Sequence, residues 1–364
     1  MKTQQGQLIF FLGANTPSGF VSKFGQLTEP NALGSGSRAY ILKGGPGSGK
    51  STIIRKVADA FGNLPGNQII ACSSDCDSLD GVVVPQKKFS LLDGTHPHLL
   101  EPRYPGAVES VIELSGCWDE GILHTHREEI ITTRENISRA HEYACRYMAA
   151  AAALIGDTHR IALSCIDMPK LHGYLARLSA KELKPLPGKT GRESTRFLTA
   201  VTDVGNVKFT ETAKALAERV YLITDEYGAL SRLILHHIRA RAIECGYDII
   251  SCYCPLAPFD KLEQLFIPAL GLGFMTSNRF HDFSAEIDPY RVVNTARFMD
   301  DGLRGQKKRI TFNRKAGRQM IAQATGLIAE AKTLHGELET FYKAATDFDK
   351  VDEITDKLLE RLAD

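Results

Sequence analysis

No apolar run in this sequence is long enough to cross a bilayer. The longest, Met148–Ile155, falls far short of the roughly 20 residues that a spanning helix needs. The early run Leu8–Leu12 is too short for the core of a secretory leader, so a cytoplasmic location is expected. Charge of one sign is also lacking. The 44 Lys and Arg residues face 43 Asp and Glu, which excludes a generally basic nucleic-acid coat and an acidic disordered tail. Eight cysteines in 364 residues are too sparse for a disulfide scaffold. Neither Cys72/Cys76 nor Cys252/Cys254 has a second Cys or His pair at zinc-site spacing, so no structural zinc is expected and the thiols read as packed side chains. What remains is ordinary globular material, 43% hydrophobic and 24% charged, with enough length for two domains.

The chain repeats itself on a domain scale. Phe11–Gly19 reads against Phe197–Gly205, Tyr40-Ile41-Leu42 against Tyr221-Leu222-Ile223, and Ala71-Cys72 against Ser251-Cys252. Trp118–Leu123 reads against Met299–Leu303, and Leu154–Lys170 aligns without gaps on Leu334–Lys350. A Pro/Gly-rich polar stretch, Lys184–Gly191, reads as the linker, which gives domains of 1–187 and 188–364. In each half short apolar runs alternate with longer helical patterns, which argues for βα units and a mainly parallel sheet. Each half then ends in helices: Arg127–Ile155 and Lys170–Leu183 in the first, Ala316–Thr346 and Val351–Leu362 in the second. A helical subdomain on the sheets or between the halves is expected.

The first half carries the stretch Gly44-Gly45-Pro46-Gly47-Ser48-Gly49-Lys50-Ser51-Thr52, which fits G-x-x-x-x-G-K-[ST] between a strand and a helix. Glycines let backbone N–H groups converge on a phosphate without Cβ obstruction, and the helix N-terminus adds partial positive charge. Lys50 would reach the β and γ phosphates of a nucleoside triphosphate such as ATP, and the Ser51 hydroxyl would ligate Mg²⁺. The metal also needs a carboxylate at a neighbouring strand end. Phe89-Ser90-Leu91-Leu92-Asp93 supplies the better candidate in Asp93; Asp75, ahead of Asp77 and Asp80, would position water or a substrate hydroxyl.

The second half works as an internal control. At the loop position it has Thr224–Arg232, with Asp225 and Glu226 where phosphate would lie, Ser231 for Lys50 and Arg232 for Ser51. Asp93 aligns with Thr276 and Asp75 with Pro255, whereas Asp80 aligns with Asp260. The phosphate loop and its acidic residues are lost together, as members of one site would be. Gly19/Gly205 and His98/His281 persist without it and read as fold elements, with His96 and His98 as candidate supports for Asp93. A pseudo-twofold pairing of the halves would let Arg232, Arg279 or Arg291 reach the first site. Arg304–Arg318 holds seven basic and no acidic residues around Ile310 and Phe312. It reads first as a solvated loop and helix start, with nucleic-acid contact as the sharper alternative.

Phe11–Gly19, Gly44–Thr52, Ser73–Gly81 and Asp93–His98, with Thr276–His281 in the second half, together resemble a family of uncharacterised bacterial proteins with tandem P-loop domains, labelled ATPases or nucleotide-kinase-like. The resemblance covers nearly the whole chain and implies ATP binding and hydrolysis. Cys76 stands where that family is expected to have proline. The reading is therefore α/β, two tandem P-loop NTPase-like domains, each a three-layer α/β/α unit followed by a helical segment. The first half is a Mg-dependent ATPase and the second a non-catalytic duplicate. Phosphoryl transfer to a small-molecule acceptor and nucleotide-gated binding without turnover are the alternatives.

Overall fold

In the computed structural model, which describes residues 7–363, every strand and long helix of the first half has a counterpart in the second. The first half runs β1 (Leu8–Phe10), β2 (Gly13–Thr16), β3 (Gly19–Ser22), β4 (Arg38–Lys43), α1 (Lys50–Phe61), β5 (Gln68–Ala71), β6 (Leu79–Val84), β7 (Phe89–Asp93), β8 (Glu109–Glu113), α2 (Glu120–Thr125), α3 (Arg127–Leu163) and α4 (Met168–Glu182). The second runs β9 (Glu193–Arg196), β10 (Thr199–Thr202), β11 (Gly205–Lys208), α5 (Thr210–Leu216), β12 (Arg219–Thr224), α6 (Leu230–Glu244), β13 (Ile249–Tyr253), β14 (Leu262–Ile267), β15 (Leu272–Ser277), β16 (Arg291–Asn294), α7 (Lys307–Ala345) and α8 (Phe348–Ala363).

The two six-stranded sheets have the same order, β1-β5-β6-β7-β4-β8 and β9-β13-β14-β15-β12-β16. All neighbours are parallel except around β6 and β14, each of which runs against both of its partners. The strands alternate strictly between faces. In the first sheet Tyr40, Leu42, Ile69, Val82 and Leu91 point into one core, and Ile41, Ile70, Val83 and Leu92 into another. The first core is covered by α1. The second has no long helix. It merges with the face of the other sheet formed by Val220, Leu222, Phe266 and Met275, with α5 and the Phe24–Leu27 turn between them. The expected α/β/α layering is corrected accordingly: each sheet has helices on one face and its sister half on the other. The physical reason is that strands apolar on both faces must cover both, and a duplicated unit can supply the second cover itself.

A pseudo-twofold axis passes between Phe11 and Phe197, whose backbone N–H and C=O groups bond each other reciprocally at 2.9 Å. The long helices α3 and α7 lie antiparallel across this axis, each about 55 Å long. Small residues at heptad-like spacing, among them Ala144, Ala151, Ala324 and Ala331, let them approach closely. Beyond them the terminal helices change partners. Leu171, Leu175 and Leu178 of α4 pack on Ile234 and Ile238 of α6 in the second half. Val351, Leu358 and Leu362 of α8 pack on Ile53, Ile54 and Val57 of α1 in the first. Each apolar side chain so buried is worth roughly 1.5–3 kcal/mol. The crossings are pinned by matching bonds: Asp119 N to Ala345 O and Asp347 N to Cys117 O at one, Asp300 N to Cys165 O and Asp167 N to Phe298 O at the other. α7 also starts earlier than the sequence pattern suggests, so most of the basic stretch 304–318 is helix. Among the described residues, no helix is long and apolar enough to cross a membrane.

Candidate functional site

Strand β4 feeds a loop whose backbone only glycine can follow comfortably. Gly47 has φ +68° and Gly49, capping α1, has φ +88°; both lie in the left-handed region. The Ser48 hydroxyl donates to Gly45 O at 2.8 Å, tightening the turn. Lys50 curls back so that Nζ donates to Gly44 O at 2.9 Å and Gly45 O at 2.8 Å. Parallel pairing of β4 with β7 sets Leu42 opposite Asp93, which carries that carboxylate to the mouth of the loop. Asp93 Oδ1 accepts from the amide and hydroxyl of Thr95, and Oδ2 lies 3.8 Å from Lys50 Nζ. The Ser51 hydroxyl accepts the Leu79 amide at 2.9 Å, and Thr52 is exposed on the first turn of α1. The structure thus brings Lys50 and Asp93 together directly, with Ser51 one residue along α1.

The second half repeats the first turn of this loop but not the left-handed cap, since its helix already begins at Leu230, the position of Gly49. Gly228 has φ +68°, the value of Gly47. Asp225, 1% exposed, occupies the position of Gly44. Its Oδ1 accepts the amides of Gly228 (3.0 Å) and Tyr227 (3.2 Å), and its Oδ2 accepts that of Ser231 (2.7 Å). The converging amides of this loop therefore hold an anion, and the anion is the chain's own carboxylate. Counter-charge comes from Arg232, which is also paired with Asp260, while Lys261 close by bonds Glu263 Oε1 at 2.6 Å. In the first half Gly44 carries no carboxylate to satisfy the equivalent amides of Gly47 and Lys50, and a lysine is added.

Asp75 stands apart from Lys50 and Asp93 in a different network. Its Oδ2 accepts from Ser78 at 2.5 Å, and its Oδ1 lies 2.7 Å from Lys332 Nζ on α7. Lys332 also reaches Asp77 at 3.1 Å and Asp203, in the β10–β11 turn, at 2.9 Å. Burial pushes the Asp75 carboxyl up, but Lys332 and Ser78 outweigh it and hold it below its ordinary value. Burial likewise opposes the charge on Lys332, and its three carboxylates override that and raise its pKa.

Helix α7 continues over the glycine loop. A side chain at Gly45 would meet the Tyr342 ring at 2.6 Å, and one at Gly47 would meet Glu339 O at 3.0 Å, so both glycines permit the close approach of α7, and Gly47 is needed for conformation as well. Pro46 lies between them. The second half therefore covers the first half's loop through α7. The arginines singled out from sequence do not take part: Arg232 pairs with Asp260, Arg279 with Glu226, and Arg291 lies over Tyr290, all within their own half. Lys332 has no local signal in the sequence, because its partners lie 255 and 129 positions away.

The histidines divide. His98 Nε2 lies 3.2 Å from Asp80 Oδ2 in a buried pair flanked by Phe20 and Phe24, and His96 Nδ1 bonds Arg134 on α3 at 2.6 Å. The strand bulges at Ile70/Ala71 and Cys252/Tyr253 correct two sequence alignments. They match Asp80 with Glu263 rather than Asp260, and Cys72 with Cys254 rather than Cys252, because the loop after β13 is one residue longer than the loop after β5. In the basic stretch, Arg309 is bound by Asp157 and Arg304 by Asp301, while Phe312 is 65% exposed. No protein-family model, curated protein or solved structure matches this chain.

Proposed function

We propose that the loop Gly44–Ser51 binds the polyphosphate of a nucleoside triphosphate, ATP, with Mg²⁺, and that the first half hydrolyses it while the second half serves as a non-catalytic cover. The observation that carries this reading is Asp225: one copy of the loop is built around an internal carboxylate, and the other shares the left-handed glycine turn (Gly47, Gly228) but has no such carboxylate, a second left-handed glycine at Gly49 and an added lysine. Lys50 rests on two backbone carbonyls that a phosphate oxygen would replace with a stronger, charge-assisted bond.

Asp93 Oδ2 is free of the Thr95 bonds that occupy Oδ1, so Asp93 and Ser51 fit as the residues that would hold Mg²⁺. When bound, the ion would neutralise charge on the β and γ phosphates. The loop amides and Lys50 would stabilise the charge that grows as the terminal P–O bond breaks. Asp75, kept ionised by Lys332, would orient the attacking water. That same pairing supports a second reading, transfer to a hydroxyl acceptor, because Asp75 lies where both halves contribute side chains.

The test is phosphate release from Mg-ATP by the purified chain, with and without a panel of nucleosides and small alcohols. Free phosphate from ATP alone, lost in Lys50→Ala, supports hydrolysis; ADP formed only with an acceptor supports transfer. Binding without either product leaves a nucleotide-gated protein. At a hundred times its dissociation constant ATP adds about 2.7 kcal/mol of stability, roughly 3–5 °C for a single body of this size. No shift in the parent overturns all three readings.

A further inference from the structure

The second half has lost the phosphate loop's chemistry but keeps a buried group of a different kind beside it. Cys254 follows β13, Glu263 lies at the bulge of β14, and His281 sits in the loop after β15. The three are 3%, 1% and 8% exposed, and the sulfur, a carboxylate oxygen and a ring nitrogen all lie within 4.8 Å of one another. Lys261 occupies Glu263 Oε1 and leaves Oε2 buried without a hydrogen-bond partner, 3.7 Å from His281 Nε2. That separation is too long for a hydrogen bond and close to the roughly 3.3–3.8 Å between two ligands of one tetrahedral ion. His281 is fixed in place: its amide donates to Asn278 Oδ1 at 3.1 Å, and its carbonyl accepts the Asn278 amide at 3.1 Å.

We propose that Cys254, Glu263 and His281 bind a divalent transition-metal ion, Zn²⁺ by the softness of the set, which ties three segments at one end of the inner strands of the second sheet. Thiolate, imidazole and carboxylate together select zinc-like ions over Mg²⁺ or Ca²⁺. Three protein ligands leave a fourth position for water. Around the group, Lys261 bonds Glu263, Arg232 pairs with Asp260 and faces Asp225, and Lys208, which faces His281, pairs with Glu286, so carboxylates outnumber cations. A divalent ion would enter as the Cys254 S–H bond breaks, its proton leaving to solvent. The first half shows what the site is without this arrangement. Cys72, Asp80 and His98 are the counterparts, but the shorter Asp80 closes on His98 at 3.2 Å as an ion pair.

The experiment is titration of the chelator-stripped, full-length chain with Co²⁺, then Zn²⁺. The expected result is a thiolate-to-cobalt charge-transfer band that saturates at one ion per chain and is bleached by Zn²⁺. Cys254→Ser should abolish the band. Glu263→Gln, the same shape without the charge, should weaken Co²⁺ binding at least tenfold. Cys72→Ser and Lys50→Ala should bind metal like the parent, so the result stands whatever becomes of the ATP reading. A parent chain that gives no charge-transfer band, a band of parental strength in Cys254→Ser, or a parental Co²⁺ affinity in Glu263→Gln overturns the proposal.

Discussion

Asp225 is the residue whose removal says most. Its carboxylate answers the buried amides of Gly228 and Ser231 and the part-buried amide of Tyr227, and Asp225→Gly removes that internal anion from the position that Gly44 holds in the first half. Leaving those donors unpaired should cost about 2–4 kcal/mol in urea unfolding. Millimolar inorganic phosphate should then raise the variant's midpoint by more than it raises the parent's. A variant as stable as the parent would show that the amides do not need an anion. Titration separates buried His98 from half-buried His141 of α3 in the same way. Burial opposes charge on His98, but Asp80 outweighs it, so the folded pKa is raised above 6.5. His98 therefore adds stability that is present below pH 6.5 and lost as pH rises through the folded value. His141 is pushed down to about 4, first by burial and then by Arg134, so the fold loses stability as pH falls from 6.5 toward 4. His98→Gln should flatten the alkaline side of a stability–pH profile and His141→Gln the acid side; equal effects of both across the range would refute the assignment.

At the level of elements, the sequence shows which helices exist but not where they dock. The spacing of Ile354, Leu358, Leu359 and Leu362 marks an amphipathic helix, and a helix that follows the second sheet is naturally assigned to it. Nothing local records that its apolar face meets Ile53 and Val57, nearly 300 residues earlier, because one apolar stripe fits two similar sheets equally well. The antiparallel strand β6 was hidden for a related reason: a strand buried on both faces reads the same in either direction. The glycine loop was legible because its residue types are dictated by backbone conformation and by the close approach of α7. Lys332, an ordinary helix lysine by pattern, was not. The exchange makes a test at long range. Leu358→Ala in α8 should cost 2–4 kcal/mol and weaken ATP binding, because α8 braces the helix that carries Lys50. Leu175→Ala in α4 should cost a similar amount and leave ATP binding near the parent value, since it braces α6. ATP titrations of the two variants at one temperature below both unfolding transitions decide it; equal losses of ATP binding would refute the asymmetry.

For the whole molecule, the repeat and its offset were readable from paired short motifs, but the way two copies become one body was not. The Phe11–Phe197 bond pair, the α3–α7 crossing and the two exchanged helices all obey one pseudo-twofold axis, the geometry of an isologous dimer within a single chain. The linker is bound to the second half, Leu186 N to Cys245 O and Gly191 N to Ile243 O, and only Gly188, with φ +68°, has open surroundings, which makes it the place to divide the chain. Separate fragments 1–187 and 188–364 should each expose the sheet face that the other covers, together with a terminal helix that has lost its partner. Each should therefore aggregate or stay unfolded when made alone. Made together they should associate into a soluble pair that recovers the ATP-dependent thermal shift, because the loop regains α7 and α8. Co-expression with a tag on one fragment, followed by size exclusion, measures this directly. If 1–187 is instead folded, monomeric and as strong an ATP binder as the intact chain, then the second half is an appendage and α7 is not part of the site.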